Sequence, residues 1–182
     1  MLLIVIGVLL WAGSHFIKRL APDLRARMGE GAGRGIVTVL TLAGLVLMVI
    51  GYRGAEQVDL WYPPGFMIHV NNTLMLLAFY LYAASGMKTG ITRVIRHPQL
   101  TAVKTWAVAH LLVNGDLAAV LLFGGMLAWA VMTVILINRA EPAWVKNPPS
   151  NAKKEVMAVV GAVVVMAVVM GIHNWFGVQP WG

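Results

Sequence analysis

Cysteine is missing from the 182-residue chain, which removes disulfides, thiolate metal sites, iron–sulfur clusters and covalent C-x-x-C-H haem attachment from consideration. Charge is scarce as well: 12% of the residues are charged, against about 25% in an ordinary soluble domain. No internal repeat stands out, so a transporter built from two similar halves finds no support. No basic region precedes the first apolar stretch, and Lys18 and Arg19 follow it at once. That stretch is therefore expected to be a retained span and not a cleaved signal peptide. What the chain does have is apolar sequence. Hydrophobic residues make up 59% of it and the mean hydropathy is +0.78. The composition predicts an all-α integral membrane protein, one domain over residues 1–182, with the lipid bilayer as its first partner. It excludes soluble enzymes and nucleic-acid-binding modules, although the formal charge is +7.

Charged residues divide the chain into six predicted spans. They are Met1–Ile17, Gly35–Tyr52, Leu60–Met87, His97–Gly115, Leu117–Asn138 and Val156–His173. Each supplies most of a crossing at about 1.5 Å per residue against a hydrocarbon core of roughly 30 Å. The fourth is the most polar, because it carries Lys104, His110 and Asn114. Thirteen of the fourteen Lys and Arg residues fall on alternate connections, and Arg53 alone lies on the other side. By the positive-inside rule, the first, third and fifth connections face the cytoplasm and both termini face outward. Lys18 and Lys104 lie close enough to the inner boundary to snorkel.

The first connection contains Gly29, Gly31, Gly33 and Gly35. No strand precedes them, so they are expected to form a flexible cytoplasmic turn and not a phosphate-binding loop. Tyr62-Pro63-Pro64-Gly65 and Asn147-Pro148-Pro149-Ser150 are expected to be rigid turns. Small-residue pairs in the last span, Ala158 with Ala162 and Ala167 with Gly171, could pack it within the bundle or across a homodimer.

Imidazoles inside a membrane are costly, so each needs a reason. His173 sits beside Asn174 at the outer end of the last span, where interfacial solvation suffices. His97 begins Arg96-His97-Pro98, with the proline suited to a first helical turn. His69 lies one turn into the third span, with Asn72 and Thr73 at i+3 and i+4, a cluster that serves equally as helix glue or as a ligand source. His110 is the informative residue. It lies about 9 Å below the outer boundary if Asp116 marks that boundary, too deep to snorkel, with Asn114 one turn later. Trp106 precedes it by one turn, just as Trp11 precedes His15 in the first span. In the six-span topology His15 and His110 differ in depth by on the order of 12 to 16 Å. Imidazole is a common haem ligand, and two helix-borne histidines can hold a b-type haem without covalent attachment. The carboxylates Asp116, Glu141 and Glu155 are too scattered for a di-iron centre. Histidines that simply hydrogen-bond between helices remain the competing reading.

Two stretches resemble the NnrU family of bacterial membrane proteins, related to the plant and cyanobacterial 15-cis-zeta-carotene isomerases. The first is Leu24-Arg25-Ala26-Arg27-Met28-Gly29, continuing through Arg34-Gly35. The second is Arg96-His97-Pro98-Gln99, then Trp106, then Ala109-His110-Leu111-Leu112-Val113-Asn114-Gly115-Asp116 and Phe123-Gly124-Gly125. The step from His97 to His110 and the following Asn-Gly-Asp carry the specificity. The resemblance implies a multi-pass protein of the bacterial inner membrane that binds haem b, with His15 and His110 matching the iron ligands. It also implies a role in nitrite or nitric oxide metabolism, or a haem-dependent isomerase or redox activity on a lipophilic polyene. On this reading Trp11, Trp106 and Asn114 orient the imidazoles or pack the macrocycle. His69 is the reserve ligand, and His97, at a cytoplasmic helix start, is expected to serve positioning or substrate entry. Two rival functions are a membrane methyltransferase that uses S-adenosylmethionine through Arg96-His97-Pro98, and a non-enzymatic assembly factor. Against the first, no paired-glutamate motif follows the penultimate span, and Glu141 stands alone before Pro142.

Overall fold

The computed structural model describes residues 1–180, which are helical throughout apart from turns, extended connections and one isolated bridge between Asp59 and Asp116. In chain order the helices are α1 (Leu2–Leu20), α2 (Pro22–Arg27), α3 (Glu30–Arg53), α4 (Met67–Met87), α5 (Pro98–Val113), α6 (Leu117–Ala140) and α7 (Ala152–Trp175). A short 3₁₀ turn, Gly90–Arg93, separates α4 from α5. Helices α1, α3, α4, α6 and α7 are each long and apolar enough to cross a membrane. Helix α5, in the fourth predicted span, has 16 residues, about 24 Å at the helical rise and thus below a full hydrocarbon thickness.

The chain folds as two compact units. The first contains Met1–Tyr62 and Gly115–Ala140; the second contains Pro63–Asn114 and the described residues from Glu141 onward. In the first unit α1 packs along α3 through small residues. A Cβ on Gly7 would stand 2.7 Å from the Gly44 carbonyl oxygen, and one on Gly51 would stand 2.8 Å from the Ile4 nitrogen. Between apolar helices in lipid, packing of this closeness replaces the hydrophobic drive available in water. Ile4 and Met48 fill the seam, both buried. Helix α6 approaches α1 at Gly125, where a side chain would collide with Val8. It carries a π-helical turn at Val120–Gly124, whose Phe123 stands edge-on to Tyr52.

In the second unit α4 is central and packs against both α5 and α7. The contact faces are rich in alanine: Ala78 and Ala84 on α4, Ala102, Ala107 and Ala109 on α5, and Ala158 and Ala162 on α7 are all buried. Ala158 and Ala162 therefore pack within the chain, whereas Ala167 and Gly171 are exposed. The connection from Ala140 to Ala152 is extended and is tied back to the unit by Asn147, whose amide donates to the Thr92 hydroxyl at 2.9 Å.

The expected turn at Asn147-Pro148-Pro149-Ser150 lies within that extended connection, and two further expectations change. The glycines from Gly31 to Gly35 are helical, as the first turns of α3, and the turn is confined to Met28 and Gly29. Gly29 has φ +71°, and Arg34 and Glu30 form an exposed i,i+4 pair at 3.8 Å across the new first turn. The third predicted span loses its start: Leu60 and Trp61 donate instead to the Gly115 carbonyl, at 2.7 and 3.0 Å. Pro63 and Pro64 lack the N–H groups a helix would use, so α4 begins only at Met67.

Candidate functional site

Helix α1 brings His15 back onto its own preceding turn. The imidazole Nδ1 lies 2.7 Å from the Trp11 carbonyl oxygen. A carbonyl only accepts, so Nδ1 carries the hydrogen and Nε2 the lone pair. Ser14, buried beside it, donates from Oγ to the same carbonyl at 2.8 Å and lies 3.0 Å from the Thr41 hydroxyl on α3. The orientation of the ring is fixed by aromatics. The indole of Trp11 stacks on His15 with centroids 4.9 Å apart, and Trp129 from α6 meets His15 edge-on at 5.1 Å and Trp11 at 5.6 Å. The Nε1 atoms of Trp11 and Trp129 are both buried, and neither has a hydrogen-bond partner. Buried indole N–H groups usually find an acceptor. Two orphaned donors against one imidazole therefore mark this cluster.

The second unit repeats the local arrangement on α5. His110 Nδ1 lies 3.0 Å from the Trp106 carbonyl, and the two rings are 5.3 Å apart. Here too the hydrogen resides on Nδ1 and the lone pair on Nε2. The amide of Asn114 donates to the His110 carbonyl at 2.8 Å, so it closes the end of α5 through the backbone of His110.

The chain direction places His69 and His173 at the same end of this unit as His110. Gly90 N–H donates to Glu155 at 2.7 Å, so α7 starts beside the α4–α5 connection, and its far end, with His173, lies where α4 begins and α5 finishes. His173 is within electrostatic reach of His110, and its Nδ1 faces the Val169 carbonyl at 2.8 Å in the same i−4 pattern. His69 is exposed, and its carbonyl accepts from Thr73. No group of three or more His, Cys, Asp or Glu able to hold a metal ion forms among the described residues.

The Arg-His-Pro tripeptide is built into the fold. Arg96 donates to the carbonyls of Glu141, Pro142 and Ala143 and so pins the extended connection after α6. His97 caps α5, its carbonyl accepting from both the nitrogen and the hydroxyl of Thr101 at 2.9 Å. Pro98 fills the first helical position.

The sequence pattern points to His15, Trp11, Trp106 and His110, and carries no comparable signal for Trp129, Ser14 and Thr41, which the fold brings to the His15 cluster. Trp129 is one of the few large aromatics in a run of small and aliphatic residues, a weak signal that only packing turns into a contact. A family profile described as NnrU protein matches residues 3–180, and the chain belongs to the NnrU family. No curated protein and no solved structure matches it.

Proposed function

For this NnrU-family member we propose a six-span protein of the bacterial inner membrane, with both termini outward, that binds haem b through His15 and His110. The observation that carries the reading is the repeated Trp-x-x-x-His arrangement. In both helices the carbonyl four residues back takes the Nδ1 hydrogen and puts the lone pair on Nε2, the tautomer of a neutral imidazole that would coordinate through that nitrogen. The donor set fits the group. Haem would bring most of its own iron ligands, so one or two histidines such as His15 and His110 would suffice to hold it where a bare metal ion would need a larger cluster. The orphaned indole N–H groups of Trp11 and Trp129 are suited to an acceptor on a bound molecule. When bound, haem b supplies iron-centred chemistry, either capture of nitric oxide or action on a lipophilic polyene. The residues of this chain would fix the imidazole orientations, through Trp11 and Trp129 for His15 and through Trp106 for His110.

The test is an absorption spectrum of the purified protein together with a pyridine haemochrome assay. A Soret band with about one haem b per chain supports the proposal. Its absence after expression with haem supplementation sinks it, and leaves the methyltransferase and assembly-factor readings.

A further inference from the structure

At the opposite end of the second unit from His110, the end of α4 and the start of α7 flank an open surface groove of about 470 Å³ lined by Gly86, Met87, Lys88, Asn151, Lys153, Lys154 and Met157. Three of its lining side chains are cationic and none is acidic. The neighbouring cleft differs: there Arg93 and Lys146 share the lining with Glu155, whose carboxylate is occupied by the Gly90 N–H. Lys88, Lys153 and Lys154 have no carboxylate partner among the described residues. All three are exposed. Like charges so gathered repel, and an anion between them relieves the repulsion.

The backbone adds an independent observation. Lys88 has φ +55° and ψ +51° and is the only non-glycine residue with positive φ among those described. It closes α4, with its own N–H and that of Thr89 both directed at the Ala84 carbonyl. Glycine is the usual residue at such a left-handed helix end. The chain has Gly86 and Gly90 two residues to either side, yet puts a lysine at the left-handed position, and that lysine lines the groove.

The surroundings specify the kind of anion. Met87 and Met157 form the apolar part of the lining, and from Met157 the exposed face of α7 continues through Val156, Val159, Val160 and Val163. A ligand that seats its charge among the lysines and lays apolar chains along that face has the chemistry of a membrane lipid. The groove is open to its surroundings and so admits a phosphodiester headgroup from the membrane side. We propose that this groove binds the headgroup of an anionic phospholipid and anchors the α4–α7 end of the second unit at the membrane surface.

The experiment follows the thermal unfolding of the purified full-length protein in neutral detergent, with phosphatidylglycerol, phosphatidylcholine or inorganic phosphate added in turn, and counts retained lipids by native mass spectrometry. Phosphatidylglycerol should raise the midpoint and remain bound, and phosphatidylcholine should do neither. At about fivefold per lysine near a membrane surface, Lys88→Gln with Lys153→Gln and Lys154→Gln should weaken phosphatidylglycerol binding on the order of a hundredfold. An equal loss of charge elsewhere, Lys18→Gln with Arg27→Gln and Arg34→Gln, should leave it intact. If the triple variant folds poorly, Lys88→Gly keeps the backbone conformation, removes one ammonium and should weaken binding about fivefold. Equal responses to the two lipids, retained binding in the triple variant, or a response to inorganic phosphate as large as that to the lipid would each overturn the proposal.

Discussion

The Nδ1 atom of His15 lies 2.7 Å from the carbonyl oxygen of Trp11, and that bond decides which nitrogen the imidazole presents to a ligand. His110 stands in the same relation to Trp106, at 3.0 Å. In both rings the tautomer is therefore set by the helix that bears them. His15→Ala and His110→Ala should each deplete haem b, with His15→Ala allowed to retain a five-coordinate form open to added ligand. His69→Ala and His97→Ala should keep the parent spectrum, because His69 is exposed on α4 and His97 caps α5. Parallel optical spectra decide. Loss in His69→Ala with an unchanged His15→Ala would replace one ligand of the pair, and loss in His173→Ala alone would move that ligand to α7.

Trp129 supports the His15 cluster from a different helix, with edge contacts to both His15 and Trp11. Its truncation to alanine opens a hole in a buried position and should cost about 3 kcal/mol or more, read as a lowered unfolding midpoint. Trp129→Phe keeps an aromatic edge and removes an unpartnered N–H, so its effect on the haem-free protein should be small. If that N–H serves the bound cofactor, haem retention should fall in Trp129→Phe while stability does not. Equal haem retention in Trp129→Phe and the parent would confine the residue to packing.

The glycine seam between α1 and α3 gives a sharper stability test. A Cβ on Gly44 would lie 2.8 Å from the Gly7 carbonyl oxygen and 3.0 Å from the Trp11 nitrogen, both backbone atoms that cannot rotate away. Gly44→Ala should destabilise by about 1–3 kcal/mol. At Gly13 nothing lies within 4 Å, so Gly13→Ala should be neutral or stabilising by up to about 1 kcal/mol through helix propensity alone. Denaturant titration followed by tryptophan fluorescence measures both, and the same sign for the two variants would refute the close-packed seam.

Arg96 ties the connection after α6 to the second unit through three carbonyls. Arg96→Ala should free that connection and raise its rate of limited proteolysis by about fivefold, equivalent to about 1 kcal/mol. Arg96→Lys should restore little, because one ammonium cannot reproduce a forked donor. Unchanged cleavage in Arg96→Ala would mean that the connection is held by other groups.

The basic-residue distribution predicts reporter fusions at either terminus outside the cytoplasm. Paired alkaline phosphatase and green fluorescent protein fusions check this, since the first is active outside and the second fluoresces inside. A fluorescent C-terminal fusion would contradict the six-span orientation and make α5 the first segment to re-examine, given its 16 residues.

Local chemistry in the sequence determined a good deal: the apolar runs that became α1, α3, α4, α6 and α7, the proline-led start of α5, and the i−4 step from tryptophan to histidine. Each depends on residues within a few positions of one another, where helix geometry alone sets what meets what. Helix contacts decided the rest. That Gly31, Gly33 and Gly35 belong to α3, that Leu60 and Trp61 bond to Gly115 before α4 begins, and that Ala158 and Ala162 face α4 follow from partners distant in the chain. So does the placing of Trp129 against His15 and of Lys88 beside Lys153 and Lys154. Small residues and lone aromatics carry little periodic signal in a chain that is apolar on every face. Their roles emerge only when close backbone approach rewards the absence of a side chain or a neighbouring ring fills the space.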